Sequence, residues 1–259
     1  PYVVGVSAGA CNLLGYVARQ IGHTRDCMIR HDGKSCYFGF NQLIRAGKII
    51  NLDSIFYELP HAEAPFDFKT YFSSNIKNEM VVTNCDTGQA EYLHEDSDER
   101  RLGTIGKASS SVPLFTSMVE LDGKRYLDGG LADSIPVKRA ISCGFYRNVV
   151  ILTRRKGITP KLTTYQKLLY ENYYRGYPNL VKAILSRPNM YHQELALLSC
   201  MEEEEKVFVI RPELPEVKRF ETDFDKLYAY YRHGYQIVKE RWDSLQMFLL
   251  KEAVHEIIK

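Results

Sequence analysis

Ser7 is the residue in this sequence whose type and setting best fit a nucleophile. It lies in the run Gly5-Val6-Ser7-Ala8-Gly9, after the β-forming residues Tyr2-Val3-Val4 and before apolar residues that recur at helical spacing. A serine on a tight turn between a strand and a helix forms the G-x-S-x-G nucleophile elbow, which lifts its hydroxyl clear of the sheet. Gly5 and Gly9 leave no Cβ to obstruct neighbouring backbone or substrate. The pattern therefore predicts Ser7 as the nucleophile.

Asp128 is the first of two candidates for the base that a serine nucleophile needs. A serine hydroxyl reacts at neutral pH only with a base within hydrogen-bond reach and with donors for the oxyanion that forms on attack. Asp128 is followed directly by Gly129 and Gly130, which let backbone and substrate come close. A turn-forming Asp-Gly would look the same in isolation. The presence of Ser7 in the same chain favours the functional interpretation.

A histidine is the second candidate base, as in the Ser-Asp-His triad of an α/β-hydrolase-type carboxylesterase. The chain order in that fold is Ser, acid, His, and His192, His233 and His255 all follow Asp128. All three histidines fall in helical patterns, whereas that fold places its histidine on a loop after a strand. Several strands should also precede the elbow there, and only six residues precede Ser7. The triad is therefore kept as the alternative.

Two β-hairpins are predicted among the elements that must position these residues. Residues 80–85 and 91–93 read as strands joined by a turn. Residues 118–121 and 124–127 flank Asp122-Gly123, which is a strong short-range hairpin signal. The second hairpin leads directly into Asp128.

Helices and a further strand are predicted around these hairpins. Residues 102–111 form a helical pattern rich in small residues that ends before Pro113. After Asp128, a helix is predicted to end at about Cys143, and residues 149–153 form an apolar strand of the parallel type. Together with the strand over 124–127, they predict a βαβ unit.

The chain from about residue 160 onward is predicted to be mainly helical. Residues 163–201 are helical and rich in tyrosine, with breaks expected near Pro178 and Pro188. Two interpretations fit the apolar side chains of this segment, a lipid groove or lid and ordinary core packing, and helical spacing favours the core. These side chains are Tyr165, Leu168, Leu169, Tyr173 and Tyr174. A strand at 207–210 and an amphipathic helix over 223–258 follow.

The composition is that of a globular protein and gives no sign of nucleic-acid binding. The chain has 259 residues, of which 45% are hydrophobic, and its 34 basic and 32 acidic side chains nearly balance. Six cysteines are scattered without paired spacing, which favours free thiols in a reducing compartment. No run of about 18 apolar residues occurs, so no membrane-spanning helix is predicted.

Four motifs together resemble the patatin-like phospholipases, in their bacterial branch. They are the elbow at Ser7, the Asp128-Gly129-Gly130 motif, the Ala108-Ser109-Ser110-Ser111-Val112-Pro113 block and the strand Val81-Val82-Thr83-Asn84-Cys85. The resemblance covers roughly residues 1–155. It implies an α/β protein with a three-layer α/β/α fold and a mostly parallel central sheet. No linker long enough to mark a domain boundary occurs, so one hydrolase domain is expected over residues 1–259.

The same resemblance implies a catalytic dyad without histidine, in which Ser7 is the nucleophile and Asp128 the base. Gly129 and Gly130 are then the glycines of the base motif. The implied reaction is hydrolysis of acyl esters in lipids, of the phospholipase or lysophospholipase kind, through an acyl-serine intermediate and with no metal or other cofactor. The expected partner is a lipid or phospholipid met at a membrane or micelle surface. The expected location is cytoplasmic, peripheral at the membrane.

One feature of that family is missing from the sequence, a glycine-rich loop upstream of the elbow whose N–H groups form the oxyanion hole. Without this loop the main donor is the Ala8 N–H at the start of the helix, and losing one oxyanion donor costs about 10² to 10³ in rate. We therefore expect an N-terminally truncated fold that lacks about 40 residues, the size of a βα unit. Such a chain is expected to have little activity.

A non-catalytic alternative has the same fold, namely a lipid-binding or scaffold protein. Modification of Ser7 by a fluorophosphonate separates an enzyme from a binder, because only an activated serine reacts. Replacement of His192, His233 and His255 separates the dyad from the triad.

Overall fold

A computed structural model describes residues 1–29, 51–61, 64–218 and 221–257 of the chain. They pack into two compact units. The first comprises Pro1–Pro136 with Pro160–Gln193, and the second comprises Val137–Thr159 with Glu194–Lys259. A single domain over the whole chain stays a prediction, because packing into units does not show whether the units unfold independently.

The first unit is built around a five-stranded sheet. Its strands are β1 (Tyr2–Val6), β2 (Lys77–Asn84), β3 (Ala90–Leu93), β4 (Val119–Leu121) and β5 (Lys124–Asp128). Strand β2 pairs with β1, β3 and β5, and β5 pairs in turn with β4. The α/β class is confirmed. Among the described strands the expected mostly parallel sheet is wrong, because β1 and β2 pair in parallel but the pairs β2–β3, β2–β5 and β4–β5 are antiparallel. Tight hairpins connect β2 with β3 and β4 with β5, and a tight hairpin can join only antiparallel strands.

Helices cover both faces of this sheet, as a three-layer α/β/α arrangement requires. On one face, α1 (Ala8–Val17), α3 (Phe68–Phe72) and α4 (Glu99–Ser109) share one apolar cluster with the strand residue Met80. On the other face, Cys85 and Leu127 pack with residues from the start of a later helix, α7 (Pro178–Glu203). Side chains alternate along a strand, so Met80 of β2 faces one cluster, and Cys85, directly after β2, and Leu127 of β5 face the other. A short helix α2 (His23–Met28) follows α1.

Both predicted hairpins are present. Strands β2 and β3 pair antiparallel, as do β4 and β5. Asp122 and Gly123 have φ of 53° and 74°, which is the left-handed pair that a two-residue hairpin with the correct twist requires. Helix α4 agrees with the helix expected over 102–111, apart from its ends.

The predicted βαβ unit after β4 is wrong. Helix α5 (Val137–Ser142) and strand β6 (Asn148–Ile151) follow β5 along the chain as expected. In the described residues, however, β6 pairs in parallel with β7 (Val207–Ile210), in a separate two-stranded sheet. The apolar run was correctly identified as a parallel strand, but its partner lies far along the sequence and has no local signal.

The remaining helices are α6 (Thr164–Tyr173), α7, α8 (Phe224–Glu240) and α9 (Trp242–Ile257). Helix α7 begins at Pro178, so the break expected there is confirmed. At the first position of a helix the N–H that proline lacks would have no intrahelical partner. The break expected near Pro188 is wrong, because α7 continues through this residue. The helix expected over 223–258 divides at Arg241 into α8 and α9.

Core packing of the Tyr-rich segment is wrong for α6, none of whose residues is buried. Tyr165, Leu168, Leu169 and Tyr173 are exposed. Tyr174, which directly follows the helix, is buried as expected. Helical spacing cannot distinguish an apolar face turned toward a core from one turned toward solvent, so the sequence alone could not decide this point.

The described cysteines are free thiols, at positions 11, 27, 85, 143 and 200. Cys36 and much of the stretch between residues 37 and 71 lie outside the described residues. Among the helices described, none combines the length and the apolar character that crossing a bilayer requires.

Candidate active site

Ser7 lies on a sharp bend between β1 and α1. Its backbone has φ 54° and ψ −116°, and a positive φ is uncommon for a residue with a side chain. The strand ends at Val6 and the helix begins at Ala8, so Ser7 alone makes the change of direction. This is the geometry of the nucleophile elbow that the sequence predicts.

The two glycines of the elbow have different surroundings. A Cβ on Gly5 would stand 2.6 Å from the Gly9 carbonyl oxygen and 2.8 Å from the Ala10 nitrogen. Gly5 is therefore required for α1 to fold back against β1. A Cβ on Gly9 would meet nothing within 4 Å, so Gly9 leaves open space beside the nucleophile.

Asp128 is the last residue of β5, and its buried side chain turns back onto the following loop. The carboxylate oxygen Oδ1 accepts a hydrogen bond from the Gly130 N–H at 2.8 Å. The Asp128 carbonyl accepts one from the Thr83 hydroxyl, also at 2.8 Å. A Cβ on Gly129 would overlap the carbonyl group of Val81, so only glycine fits where the loop crosses β2. Both glycines of the base motif thus help to fix the carboxylate.

The register of the sheet brings Ser7 and Asp128 to neighbouring positions. Strand β3 pairs along one edge of β2. Strands β1 and β5 pair with β2 residues that also pair with β3, so both must lie along the opposite edge of β2. They run toward each other along that edge. Strand β1 ends with Val6 opposite Val81, and β5 ends with Asp128 opposite Val82. Because Ser7 directly follows Val6, the serine and the aspartate lie at the point where the two strands meet.

A block of serines at the end of α4 contacts both chain segments at this meeting point. The buried Ser109 hydroxyl accepts a hydrogen bond from the Ser7 N–H at 3.0 Å. Two residues later, the Ser111 carbonyl accepts one from the Asp128 N–H at 2.8 Å. The Ser111 hydroxyl donates to the Lys107 carbonyl in the last turn of α4. One short segment therefore holds the backbone of both residues.

The electrostatics of Cys11 place negative charge from Asp128 close to α1. Burial raises the pKa of the Cys11 thiol, the Ser110 hydroxyl opposes this shift, and the charge of Asp128 adds to it. Cys11 lies near the start of α1, the helix that begins directly after Ser7. The Asp128 charge therefore acts on the beginning of this helix.

Oxyanion donors are available at the start of α1. The N–H groups of Ala10 and Cys11 both donate to the Ser7 carbonyl, at 2.9 and 3.2 Å. The N–H groups of Ala8 and Gly9 come earlier in the helix, where no intrahelical acceptor exists. Ala8 is exposed, and the positive end of the helix dipole lies at this point. The role of the Ala8 N–H as a donor to an oxyanion at Ser7 stays a prediction.

The model of the family described as patatin-like phospholipase matches residues 1–141 of the chain, more than half of its length. The chain belongs to the patatin-like phospholipase family. The matched region contains the elbow, the serine block and the Asp128 motif. A second family model, described only as a domain of unknown function (DUF6363), matches residues 177–250.

An uncharacterized protein of Escherichia coli strain K12, YjjU, is similar to this patatin-like chain. The two are 34% identical over 154 residues, which is 58% of this chain and 42% of YjjU. The chain thus matches less than half the length of this relative. The bacterial origin of YjjU agrees with the bacterial branch that the motifs indicate.

The histidines of the alternative triad have other surroundings in this patatin-like chain. His192 is exposed on α7. The Nε2 atom of His233 accepts hydrogen bonds from the backbone N–H groups of Glu213 and Leu214, at 2.9 and 3.2 Å. The side chain of His255 lies outside the described residues. The described contacts of His233 are those of a loop anchor.

Sequence reasoning named the serine block but assigned no role to Ser109 or Ser111. Ser109 contacts Ser7 across 102 positions of sequence, and Ser111 contacts Asp128 across the hairpin of β4 and β5, so no local pattern indicates either contact. The available signal was a run of three serines where a helix of small residues ends before a proline. Serine disfavours a helix interior because its hydroxyl seeks backbone partners, and here the Ser109 hydroxyl finds the N–H of the nucleophile.

Proposed function

We propose that the protein hydrolyses acyl esters of lipids through a Ser7–Asp128 dyad. The observation that carries the proposal is the register of β2, which ends β1 and β5 at neighbouring positions on one edge. Membership of the patatin-like phospholipases supports a lipid acyl hydrolase in general. The particular lipid, the ester that is cut and the dyad itself are parts of the proposal.

The proposed reaction proceeds in two steps through an acyl-serine. Asp128 takes the proton of the Ser7 hydroxyl as its oxygen attacks the ester carbonyl, and the leaving alcohol receives that proton as the ester C–O bond breaks. Asp128 then takes a proton from water, which attacks the acyl-serine. The fatty acid leaves as the Ser7 oxygen regains the proton. The Ala8 N–H stabilises the oxyanion in both steps.

A carboxylate can serve as the base only in a restricted setting. An exposed aspartate has a pKa near 3.9 and is a weak base at neutral pH. Asp128 is buried, its Oδ1 is held by the Gly130 N–H, and its backbone is fixed by Thr83 and Ser111. These contacts hold the carboxylate in one position, so the proton transfer needs no reorientation of the side chain.

The experiment that tests the nucleophile is labelling of the natural full-length protein with a fluorescent fluorophosphonate. Ser7 is expected to be labelled, and Ser7→Ala is expected to abolish labelling, because the probe reacts only with an activated serine. Ser110→Ala, which removes a nearby hydroxyl, serves as the matched control and should be labelled as strongly as the parent. A folded parent protein that is never labelled at Ser7 contradicts the proposal and favours a non-catalytic lipid binder.

Ser109 is expected to act as a positioning residue. Ser109→Ala leaves the Ser7 N–H without its acceptor, and an unsatisfied buried donor costs about 1–3 kcal/mol. We expect kcat for a soluble ester to fall about tenfold while KM is unchanged, since a strain of about 1.4 kcal/mol on the elbow corresponds to that factor. Steady-state kinetics measures the two constants separately.

The control for Ser109 is again Ser110→Ala, one position along the same helix end. The Ser110 hydroxyl lies 3.8 Å from the Cys11 sulfur and makes only a weak contact with it. Equal kcat values in the Ser109→Ala and parent proteins would exclude a positioning role.

A further inference from the structure

Helix α6 exposes an apolar face, of which only the Tyr173 ring has a described ring contact, edge to face with Tyr174 at 4.8 Å between centroids. Tyr165, Leu168, Leu169 and Tyr173 are 73%, 60%, 37% and 66% exposed. They lie at positions i, i+3, i+4 and i+8, which form one side of a helix. We refer to these four side chains as the α6 face. A contiguous exposed apolar surface marks an interaction site more often than isolated apolar residues do.

The opposite side of α6 fixes the helix to the rest of the first unit. Tyr170 packs against the cluster that contains Tyr174 and Leu131, and the rings of Tyr170 and Tyr174 stack with centroids 6.5 Å apart. The Tyr174 hydroxyl accepts a hydrogen bond from the Leu114 N–H at 3.0 Å. Leu114 has φ 70°, so this bond supports a strained position just after the serine block.

These contacts tie α6 to the loops around the candidate site. The cluster beneath α6 contains Leu127 and Leu131, which flank Asp128 and its two glycines. Leu114 follows the block that binds the backbone of Ser7 and Asp128. The α6 face therefore belongs to the same unit as the proposed dyad and is anchored to its supports.

The charge of residues 160–193 indicates which kind of surface the α6 face binds. Four exposed cations lie along the segment, with Glu171 as its single carboxylate between residues 160 and 193. The cations are Lys161, Lys167, Arg175 and Lys182. Among the ion pairs of the described residues, none includes any of these four. Apolar side chains on a segment with an excess of exposed cations match an anionic lipid surface.

We propose that the α6 face binds the surface of membranes that contain anionic phospholipid. Tyrosine rings and leucine side chains enter the boundary between headgroups and acyl chains, and the cations attract the anionic headgroups. The inference rests on the proposed function, since it names the surface from which the hydrolase takes its substrate. The partner of the α6 face is thus a lipid surface and not a second copy of the chain.

The binding test uses the full-length protein with Ser7→Ala, so that vesicles stay intact. It is sedimented with vesicles of equal parts phosphatidylcholine and phosphatidylglycerol, and with vesicles of phosphatidylcholine alone. We expect strong binding to the mixed vesicles and weak binding to phosphatidylcholine. The double variant Leu168→Glu and Leu169→Glu should lower binding about tenfold or more, because it places charge in the membrane boundary. The double variant Lys161→Glu and Lys167→Glu should remove the preference for anionic vesicles.

The matched control is Ile21→Glu, which changes an exposed apolar residue elsewhere in the first unit. It should bind vesicles as the parent does. Leu168→Trp provides a second measurement that does not depend on loss of binding, since its fluorescence should shift to shorter wavelength with the mixed vesicles. Equal binding by the parent and the Leu168, Leu169 double variant overturns the proposal. A dimer that this variant converts to monomers also overturns it, because the face then binds a second copy.

An activity measurement separates this proposal from the proposed function. With Ser7 intact, the Leu168, Leu169 double variant should hydrolyse a soluble short-chain ester at the parent rate and vesicle phospholipid about tenfold more slowly. If the parent protein binds mixed vesicles through α6 but hydrolyses neither substrate, the proposed hydrolase function is refuted and the proposal for the α6 face is not. Equal vesicle hydrolysis by the parent and the double variant refutes the α6 face alone.

Discussion

Asp128→Asn is expected to lower kcat/KM for ester hydrolysis by about 10³-fold, within the range of 10² to 10⁴ that a general base contributes. Asparagine has the shape of aspartate, and its side-chain oxygen can still accept the Gly130 N–H that Oδ1 accepts now. The loop should therefore keep its conformation. What the variant loses is the ability to take the proton of Ser7, so the effect should fall on kcat. Initial rates on a soluble ester measure the loss without any contribution from membrane binding.

Two comparisons make the Asp128 result specific. Asp86→Asn, at an exposed turn of the first unit, removes the same charge away from the dyad and should retain the parent rate. Single replacements of His192, His233 and His255 by alanine should each leave the rate within about threefold, because in a dyad no imidazole moves a proton. If Asp128→Asn is active and one histidine variant is not, the base is that histidine.

Local elements of this fold could be predicted because their causes are local. The Asp122-Gly123 hairpin follows from two residues that tolerate a positive φ, and the elbow follows from glycines around one serine. Pro178 begins a helix because its ring holds φ near the helical value and the N–H that it lacks is not needed at that position. Each of these features depends on a few neighbouring residues, so a single sequence is enough to predict it.

The features that escaped prediction depend on contacts between distant residues. The pairing of β6 with β7 joins strands far apart in the chain, and the apolar pattern of β6 would suit either sheet. The helical spacing of the α6 face would suit either a core or a surface. Ser109 contacts Ser7 only because α4 passes behind the elbow. The pair Ser7 and Asp128 could be proposed from residue types, but the register of β2 was needed to bring them to one place.

Gly129→Ala is expected to destabilise the first unit by about 3 kcal/mol or more, at the upper end of the cost of overpacking a rigid site. A Cβ at this position would stand 2.5 Å from the Val81 carbonyl carbon, 2.8 Å from the Val81 Cβ and closer still to the carbonyl oxygen. The obstacle is strand backbone, which cannot rotate away as a side chain can. Val81 is also paired with Val6 of β1 and Tyr92 of β3, so a shift of Val81 disturbs both neighbouring strands.

In the Gly129→Ala protein, the loss of stability should be accompanied by loss of the proposed dyad. Gly129 directly follows Asp128, and relief of the overlap requires β5 to move away from β2, which takes the carboxylate away from Ser7. We therefore expect a lower midpoint of urea unfolding and, at low urea, little fluorophosphonate labelling. Gly9→Ala and Gly176→Ala are the matched controls for stability, since a Cβ at either position meets nothing within 4 Å. A Gly129→Ala protein that unfolds at the parent midpoint and labels at the parent rate would show that the β5 loop is free to move, in which case the crossing at β2 cannot be what holds the base beside the nucleophile.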